Sequence, residues 1–212
     1  TINLQEADDV ERERMRTSMG EPYRTLLGHF RHELGHYFWD LTFRRLQTNH
    51  PYLDAFEQIF GDLNLDYQNS LNQHYHRFSK GGGFDSTHFI SHYASAHPCE
   101  DWAETWAHYW HILDAIETAE SFGLIANESS LIDLNSLFSQ EPEVALLDLD
   151  PETQQEFLHC ISTWIQLSPA LNEMAGALGY RSIYPFALTP TVIRKLMFVH
   201  SLVSHHKKTL QR

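Results

Sequence analysis

The chain has 212 residues, with 28 acidic and 15 basic side chains and a formal net charge of -13 at pH 7. This charge opposes a polyanionic partner, and the basic clusters are short, so we expect no nucleic acid as partner. No apolar run reaches membrane-spanning length, and Cys99 and Cys160 cannot form a disulfide framework, so we expect no membrane contact and a reducing, cytoplasmic location.

The N-terminal part predicts a short element and then a long helix. Thr1 to Leu4 alternates polar and apolar residues, which is typical of a small strand. Glu21 and Pro22 form a helix-start signal, and the apolar periodicity after it predicts a helix from about Glu21 to Arg45. Because the chain begins with Thr1 rather than Met, we expect an excised domain or a processed form.

The rest of the chain predicts further helices separated by proline and glycine signals. Ile125 to Asp148 mixes acidic and apolar residues without a clear period. The predicted helices are Leu53 to Phe60, a stretch toward His76, Pro98 to about Ser121, Pro151 to about Ile165, Pro169 to Gly179, and Pro190 to about Ser204, with a loop at Ser79 to Gly83.

The most informative stretch contains His32-Glu33-x-x-His36, the H-E-x-x-H pattern of zinc hydrolases. On a helix, His32 and His36 stand one turn apart with Cβ atoms about 6 Å from each other, so both can bind one ion. Glu33 then lies where it can take a proton from an activated water. With 15 histidines in the chain, chance would produce this pattern in roughly one shuffled sequence of ten, so it needs support elsewhere.

The helix that carries the motif has two different sides. Phe30, Leu34, Tyr37, Phe38 and Leu41 share an apolar side, whereas His29, His32, His36 and Asp40 share the other. Gly28 and Gly35 each cost roughly 1 kcal/mol relative to alanine inside a helix. Their presence predicts that another part of the chain comes close to the histidine side, which Trp39 flanks.

The helix predicted from Pro98 offers a third ligand. Glu100, Glu104, His108 and His111 share one face, and three tryptophans line the opposite side. By base rate, the acidic face would point to water; small alanines beside it allow it to face the first helix instead. A catalytic zinc site has three protein ligands, so we assign Glu100 as the third and Glu104 as the support of a ligand histidine, with the reverse assignment open.

Amide hydrolysis also needs a hydrogen-bond donor for the developing oxyanion. Tyr93 is our candidate, and His88, His92 and His97 are rivals. His29 is an alternative ligand or a neutral, hydrogen-bonded histidine. For two further histidines, His108 and His111, we expect either support of the site or a position on a polar surface.

The segments from His29 to Tyr37 and from Tyr93 to Tyr109 resemble the zinc-binding metallopeptidases of bacteria, a gluzincin-type group. The resemblance is strong from Thr1 to about Gly123 and looser up to about His200. It implies a zincin-like fold and often an N-terminal zinc ribbon, which this chain lacks. It also implies tryptophan before Glu100, where this chain has Cys99. A similar tyrosine and Glu-x-x-x-Glu arrangement in lethal-factor-type gluzincins supports Tyr93 as the oxyanion donor.

We therefore expect a mainly α fold, zincin-like, with at most a small β remnant near Thr1. Residues 1-125 would form the metal-site core, and residues 126-212 a helical extension packed on it within one structural domain. The predicted activity is Zn2+-dependent hydrolysis of a peptide or protein substrate. The alternatives are a non-catalytic zinc-stabilised interaction domain and, with less support, a di-iron carboxylate protein built on Glu33-x-x-His36. The oligomeric state stays open.

Overall fold

The structure, a computed structural model, describes residues 4–18, 24–44, 46, 50–125 and 150–210. These residues form seven α-helices and two short 3-10 helices, with no strand among them, which confirms the mainly α prediction. The α-helices are α1 (Asp9–Ser18), α2 (Leu26–Phe43), α3 (Pro51–Phe60), α4 (Tyr67–Ser79), α5 (Pro98–Ser121), α6 (Pro151–Ala177) and α7 (Pro190–Leu210); the 3-10 helices are Leu4–Ala7 and Tyr93–Ala96.

The strand predicted at Thr1 to Leu4 is not seen where the structure describes it. Its first three residues lie outside the described part, and Leu4 opens a 3-10 helix. The aperiodic stretch from Ile125 to Asp148 also falls almost entirely outside the described residues. Among the described helices, none combines the length and apolarity needed to cross a lipid bilayer.

Side-chain caps and prolines fix where most helices begin. Asp66 caps α4 by accepting a hydrogen bond from the Asn69 amide, and Asp150 caps α6 in the same way. Pro51, Pro98 and Pro151 occupy first-turn positions, where the missing N–H costs nothing. The starts at Pro98 and Pro151 are those that the sequence predicted, whereas α3 begins two residues before the predicted Leu53.

Helix α2 begins later than predicted. We expected a start near Glu21, but the helix runs from Leu26, because the Thr25 hydroxyl accepts a hydrogen bond from the Gly28 amide at 2.9 Å. Residues 24 and 25 are not helical, and residues 19–23 lie outside the described part. A threonine cap thus determines the start.

The predicted break at Pro169 is wrong, since α6 is one helix from Pro151 to Ala177 with Pro169 inside it. Proline removes one backbone hydrogen bond, but packing on both sides keeps the helix continuous. Trp164 and Leu167 are buried before the proline, and beyond it the Asn172 side chain exchanges two hydrogen bonds with the backbone of Tyr184.

Helix α5 is the centre of the structure. It packs on α2, α3, α6 and α7, and Trp102, Ala103 and Thr105 are fully buried. An aromatic cluster surrounds its tryptophan side. Its members are Phe43, Phe56, Phe60, Trp102 and Phe198. Glu100 is also only 1% exposed, so the acidic face does not point to water.

The two sides of α2 differ in exposure from those of an ordinary amphipathic helix, in which the apolar side is buried. Phe30, Leu34, Tyr37 and Leu41 are exposed, whereas the histidine side packs against α5. Phe38, also predicted on the apolar side, is partly buried and stacks on Trp106. Polar groups on the buried side must therefore satisfy one another. This arrangement brings the motif residues into the interior.

Candidate metal centre

Gly35 allows α2 and α5 to approach closely. A Cβ atom at this position would lie 3.0 Å from Cα of Ala103 and 3.1 Å from Cβ of Trp106. The indole N–H of Trp102 donates to the Gly35 carbonyl at 2.8 Å, which ties the two helices together. The sequence-based prediction that a glycine admits a close neighbour on this side is thus matched at Gly35.

Three potential ligand atoms converge between the helices. Nε2 of His32 lies 3.0 Å from Oε2 of Glu100, and Nε2 of His36 lies 3.4 Å from the same oxygen. The two Nε2 atoms are 3.1 Å apart. Within the described residues, His32, His36 and Glu100 are the group whose geometry could hold a metal ion.

The chemistry of this group fits a cation. Oε2 of Glu100 is buried, and neither of the two imidazole Nε2 atoms beside it is aligned well enough for a full hydrogen bond, which is costly for a carboxylate oxygen. Two imidazole nitrogens and one carboxylate oxygen are the donors of a common catalytic zinc site. A divalent cation would satisfy the orphaned oxygen and both nitrogens at once.

Glu104 contacts the opposite edge of the His32 ring. Its Oε1 lies 2.7 Å from Nδ1 of His32, and its Oε2 accepts a hydrogen bond from the Ser91 hydroxyl at 2.6 Å. A carboxylate on Nδ1 fixes the tautomer that leaves Nε2 free for a metal. The geometry therefore favours Glu100 as the third ligand and Glu104 as its support, as we predicted, although these roles stay predictions.

Tyr67 holds the other oxygen of Glu100. Its hydroxyl donates to Oε1 at 2.6 Å from the start of α4, which is 33 residues away in sequence. Burial and the Glu100 charge both raise the pKa of Tyr67, so the phenol stays a donor at neutral pH. Since Oε1 is engaged, Oε2 alone faces the two histidines.

The electrostatics of the cluster favour a positive charge in its centre. Burial lowers the pKa of His32, but hydrogen bonds to Glu100 and Glu104 outweigh it and raise the value to about 10. Burial opposes the charged form of Glu104, yet His32 brings its pKa down to about 2, and the pKa of Glu100 is also well below its usual range. A metal ion that binds here would displace a proton from His32.

The predicted catalytic residues lie beside this cluster. Glu33 and Tyr93 both line a cleft of about 660 Å³ that also exposes His32. The Tyr93 ring centroid is 5.8 Å from that of His32, and burial raises the pKa of Tyr93 so that it remains a hydroxyl donor. An acid and a phenol thus face the same space as His32, one of the three candidate ligands.

The three rivals of Tyr93 have different surroundings. His97 caps α5 through Nδ1 and lies 3.2 Å from the Leu65 carbonyl through Nε2, which gives it a structural place. His88 is exposed beside Asp85. His92 is in the cleft wall, with its ring centroid 4.4 Å from that of His74, so it is the rival that could still reach a substrate.

The remaining histidines near the motif are engaged by other side chains. Nδ1 of His108 lies 3.0 Å from the Tyr184 hydroxyl, and burial lowers the pKa of His108 to about 4, so it is neutral. Nδ1 of His111 lies 2.6 Å from the Arg31 guanidinium. His29 lies between Glu6 and Glu33 and does not join the candidate ligands.

Cys99 does not belong to the metal-binding group. It follows Pro98 in the first turn of α5, and burial raises its pKa to about 11, which keeps the thiol neutral. A neutral thiol is a weak metal ligand. The replacement of the expected tryptophan by Cys99 therefore leaves the candidate site intact.

Sequence reasoning missed three residues that the fold brings to the site: Glu6, Tyr67 and Ser91. Each is a polar residue in a segment without a motif, and each contacts a motif residue far away in sequence. Only these tertiary side-chain contacts with α2 and α5 identify them.

The chain matches the model of one protein family and is similar to mycobacterial proteins. Residues 1–202 match the model of a family described as "Putative zinc-binding metallo-peptidase". An uncharacterised protein of Mycobacterium bovis and two from Mycobacterium tuberculosis strains, CDC 1551 and H37Rv, are each 41% identical to the chain over 203 residues. The match covers 96% of this chain but 53% of each relative, so the chain spans about half their length. No solved structure matches the chain.

Proposed function

The chain belongs to the family described as "Putative zinc-binding metallo-peptidase", whose model covers residues 1–202, and from this we propose that it has peptidase activity. His32, His36 and Glu100 would hold a zinc ion, and Glu104 would orient His32. The substrate would be a peptide or protein segment bound in the cleft that Glu33 and Tyr93 line.

A zinc ion held by His32, His36 and Glu100 would supply a water acidic enough to lose a proton near neutral pH and would polarise the substrate carbonyl. Glu33 accepts the proton of the attacking water and later delivers it to the leaving amine. Tyr93 donates its hydroxyl hydrogen to the oxygen on which negative charge develops. Tyr67 and Glu104 take no part in proton transfer and hold the ligand side chains in place.

One observation supports the proposal most directly: three potential ligand atoms lie close together between α2 and α5. Among residues 4–18, 24–44, 50–125 and 150–210, no fourth side chain joins the group. Because Tyr67 engages Oε1 of Glu100, that carboxylate would offer one oxygen and leave a coordination position for water. An open position next to a cleft is the property of catalytic zinc sites rather than structural ones.

This geometry also weighs against the two alternatives. A structural zinc domain would need a fourth ligand, and neither Cys99 nor His29 joins the group. A di-iron site would need a second Glu-x-x-His element at the same centre; Glu104 and His108 are spaced by four, and the element from Glu156 to His159 is exposed on α6 and joins no metal-binding group among the described residues.

Several parts of the proposal concern the whole protein. The cleavage specificity and the physiological substrate belong to a chain that, in its relatives, is about twice as long.

Cys99 and Cys160 are free thiols, which supports a reducing, cytoplasmic setting as part of the proposal.

The decisive variant is Glu33→Gln, which keeps the shape of the side chain and removes its basicity. We expect zinc content near one ion per chain in parent and variant, and a fall in hydrolysis of a quenched-fluorescence peptide library of about 10²- to 10⁴-fold. Glu117→Gln, an exposed change on α5, is the matched control. A Glu33→Gln protein that cleaves as fast as the parent would exclude the assigned mechanism.

Metal analysis separates the catalytic from the structural alternative. His32→Ala and Glu100→Ala should each lose the ion, because each removes one of three ligands. A parent that holds zinc through four protein ligands, measured by X-ray absorption, and cleaves no peptide would instead be a zinc-stabilised interaction domain.

A further inference from the structure

Glu6 is a buried carboxylate that the proposed mechanism does not use. It lies in the 3-10 helix Leu4–Ala7 and is 1% exposed. Burying an ionised carboxylate is costly unless it is paired and hydrogen-bonded. Glu6 is paired twice: the Arg24 guanidinium donates to Oε1 at 2.5 Å, and Nδ1 of His29 lies 2.8 Å from Oε2.

His29 connects this carboxylate to the proposed general base. It lies one helical turn before Glu33 on α2, and its Nε2 is 3.3 Å from Oε1 of Glu33. Both ring nitrogens of His29 thus face a carboxylate, one from the N-terminal segment and one from the H-E-x-x-H motif. The three side chains form a continuous line from a buried position to the cleft.

The hydrogen bonds at Glu6 determine which ring nitrogen of His29 carries a hydrogen. Burial raises the pKa of Glu6, but hydrogen bonds from His29 and Arg24 outweigh it and leave the pKa below its usual value, so Glu6 is an acceptor. Nδ1 of His29 must then carry a hydrogen. Nε2 of the same ring is then the nitrogen that faces Oε1 of Glu33, at 3.3 Å.

We propose that Glu6 is a positioning residue for Glu33, acting through His29, so that the buried Glu6 carboxylate fixes the His29 ring and the ring holds the Glu33 carboxylate at the cleft. This inference rests on the proposed peptidase function. A merely structural Glu6 would anchor residues 4–7 to α2 and affect stability alone. The two possibilities differ in what happens to turnover.

The kinetic test compares Glu6→Gln, His29→Gln and the double variant with the parent, each loaded with zinc. We expect kcat to fall about 10- to 100-fold, as for the loss of outer partners in metal sites, while KM and zinc content stay within twofold. The double variant should match the single variants, because both break the same line of contacts. Glu11→Gln, a change at a half-buried glutamate of α1 that pairs with the exposed Arg14, is the control.

His29→Gln keeps the ion pair between Glu6 and Arg24, so it remains informative if Glu6→Gln does not fold. Parent-like kcat in both single variants, or multiplicative losses in the double variant, would overturn the proposal. So would a loss of zinc equal to the loss of activity, since Glu6 would then act on the ligands rather than on the base.

A second readout needs neither metal nor activity. In the zinc-free protein labelled with ¹⁵N-histidine, the Nδ1 hydrogen of His29 should exchange slowly and become fast in Glu6→Gln, and Glu33→Gln should shift the Nε2 resonance. An unshifted Nε2 in Glu33→Gln would refute the line of contacts. A zinc-loaded parent that cleaves no peptide but shows both NMR effects would refute the peptidase function and retain the contact between His29 and Glu33.

Discussion

At the scale of single residues, both ring nitrogens of His32 and the far oxygen of Glu100 have defined neighbours. Glu104 lies at Nδ1 of His32, Glu100 at its Nε2, and Tyr67 at the far oxygen of Glu100. A histidine enclosed by two carboxylates has a fixed ring orientation before any metal arrives. Such preorganisation lowers the entropic cost of assembling a metal site.

Tyr67→Phe tests this preorganisation by removing only the hydroxyl that binds Oε1 of Glu100. We expect zinc affinity to fall about 10- to 100-fold, because the carboxylate loses the bond that fixes its orientation. Competition with a fluorescent zinc chelator measures the change. Tyr180→Phe, at an exposed tyrosine, should leave the affinity unaltered, and an unaltered affinity in Tyr67→Phe would remove Tyr67 from the site.

At the scale of helices, the pairing of α2 with α5 determines the site. His32 and His36 can meet Glu100 only because Gly35, between them, lets α5 come within contact of the α2 backbone. The cost of glycine inside a helix is offset by this approach and by the hydrogen bond from Trp102 to the Gly35 carbonyl.

Gly35→Ala should therefore push the two helices apart. We expect a loss of about 1–3 kcal/mol in the free energy of unfolding, as for overpacked cores, together with weaker zinc binding. Gly176→Ala is the matched control, because Gly176 is also helical but a Cβ there would meet nothing within 4 Å. Chemical denaturation of both metal-free variants should show that the Gly176 change is neutral or slightly stabilising; equal effects would contradict the packing argument.

At the scale of the whole molecule, α7 contacts the segments that carry the site residues. Nζ of Lys195 donates to Oδ2 of Asp101 at 2.6 Å and to the His88 carbonyl at 2.5 Å. Asp101 is next to the candidate ligand Glu100 and is fully buried, as is nearly all of Lys195. The C-terminal helix thus fixes both the start of α5 and the loop that leads to Tyr93.

Lys195→Met should destabilise the fold by about 3–5 kcal/mol, since it leaves a buried carboxylate without its cation. Burial raises the pKa of Asp101 to about 7 even with Lys195 present. A raised carboxyl pKa penalises the folded state above the ordinary aspartate pKa, so the loss should shrink as the pH falls towards about 4.

Urea unfolding of metal-free Lys195→Met at pH 7 and near pH 4.5 measures this change. Adding Asp101→Asn should restore much of the stability, because the unpaired charge is then removed. Lys208→Ala, which breaks the exposed pair with Asp150, should have a far smaller effect. A Lys195→Met loss that is no larger than this control would show that the buried pair does not hold α7 to α5.

The sequence by itself determined the local features of this protein. Prolines and polar caps marked the starts of α5, α6 and α7, since a cap acts on amides two or three residues away. The H-E-x-x-H spacing placed His32 and His36 on one helical face for the same local reason. The sequence signals for helix boundaries were wrong at two places. Thr25 rather than Glu21 set the start of α2, and packing around Pro169 kept α6 continuous.

Only the tertiary structure decided which faces meet. Periodicity could not tell whether the acidic face of α5 points to water or to α2, because both arrangements repeat with the same helical period. It could not separate Glu100 from Glu104, which lie one turn apart, nor bring in Tyr67, Ser91 and Glu6 from distant segments. Rotation and approach of helices depend on contacts between remote residues, and here the space at Gly35 sets them.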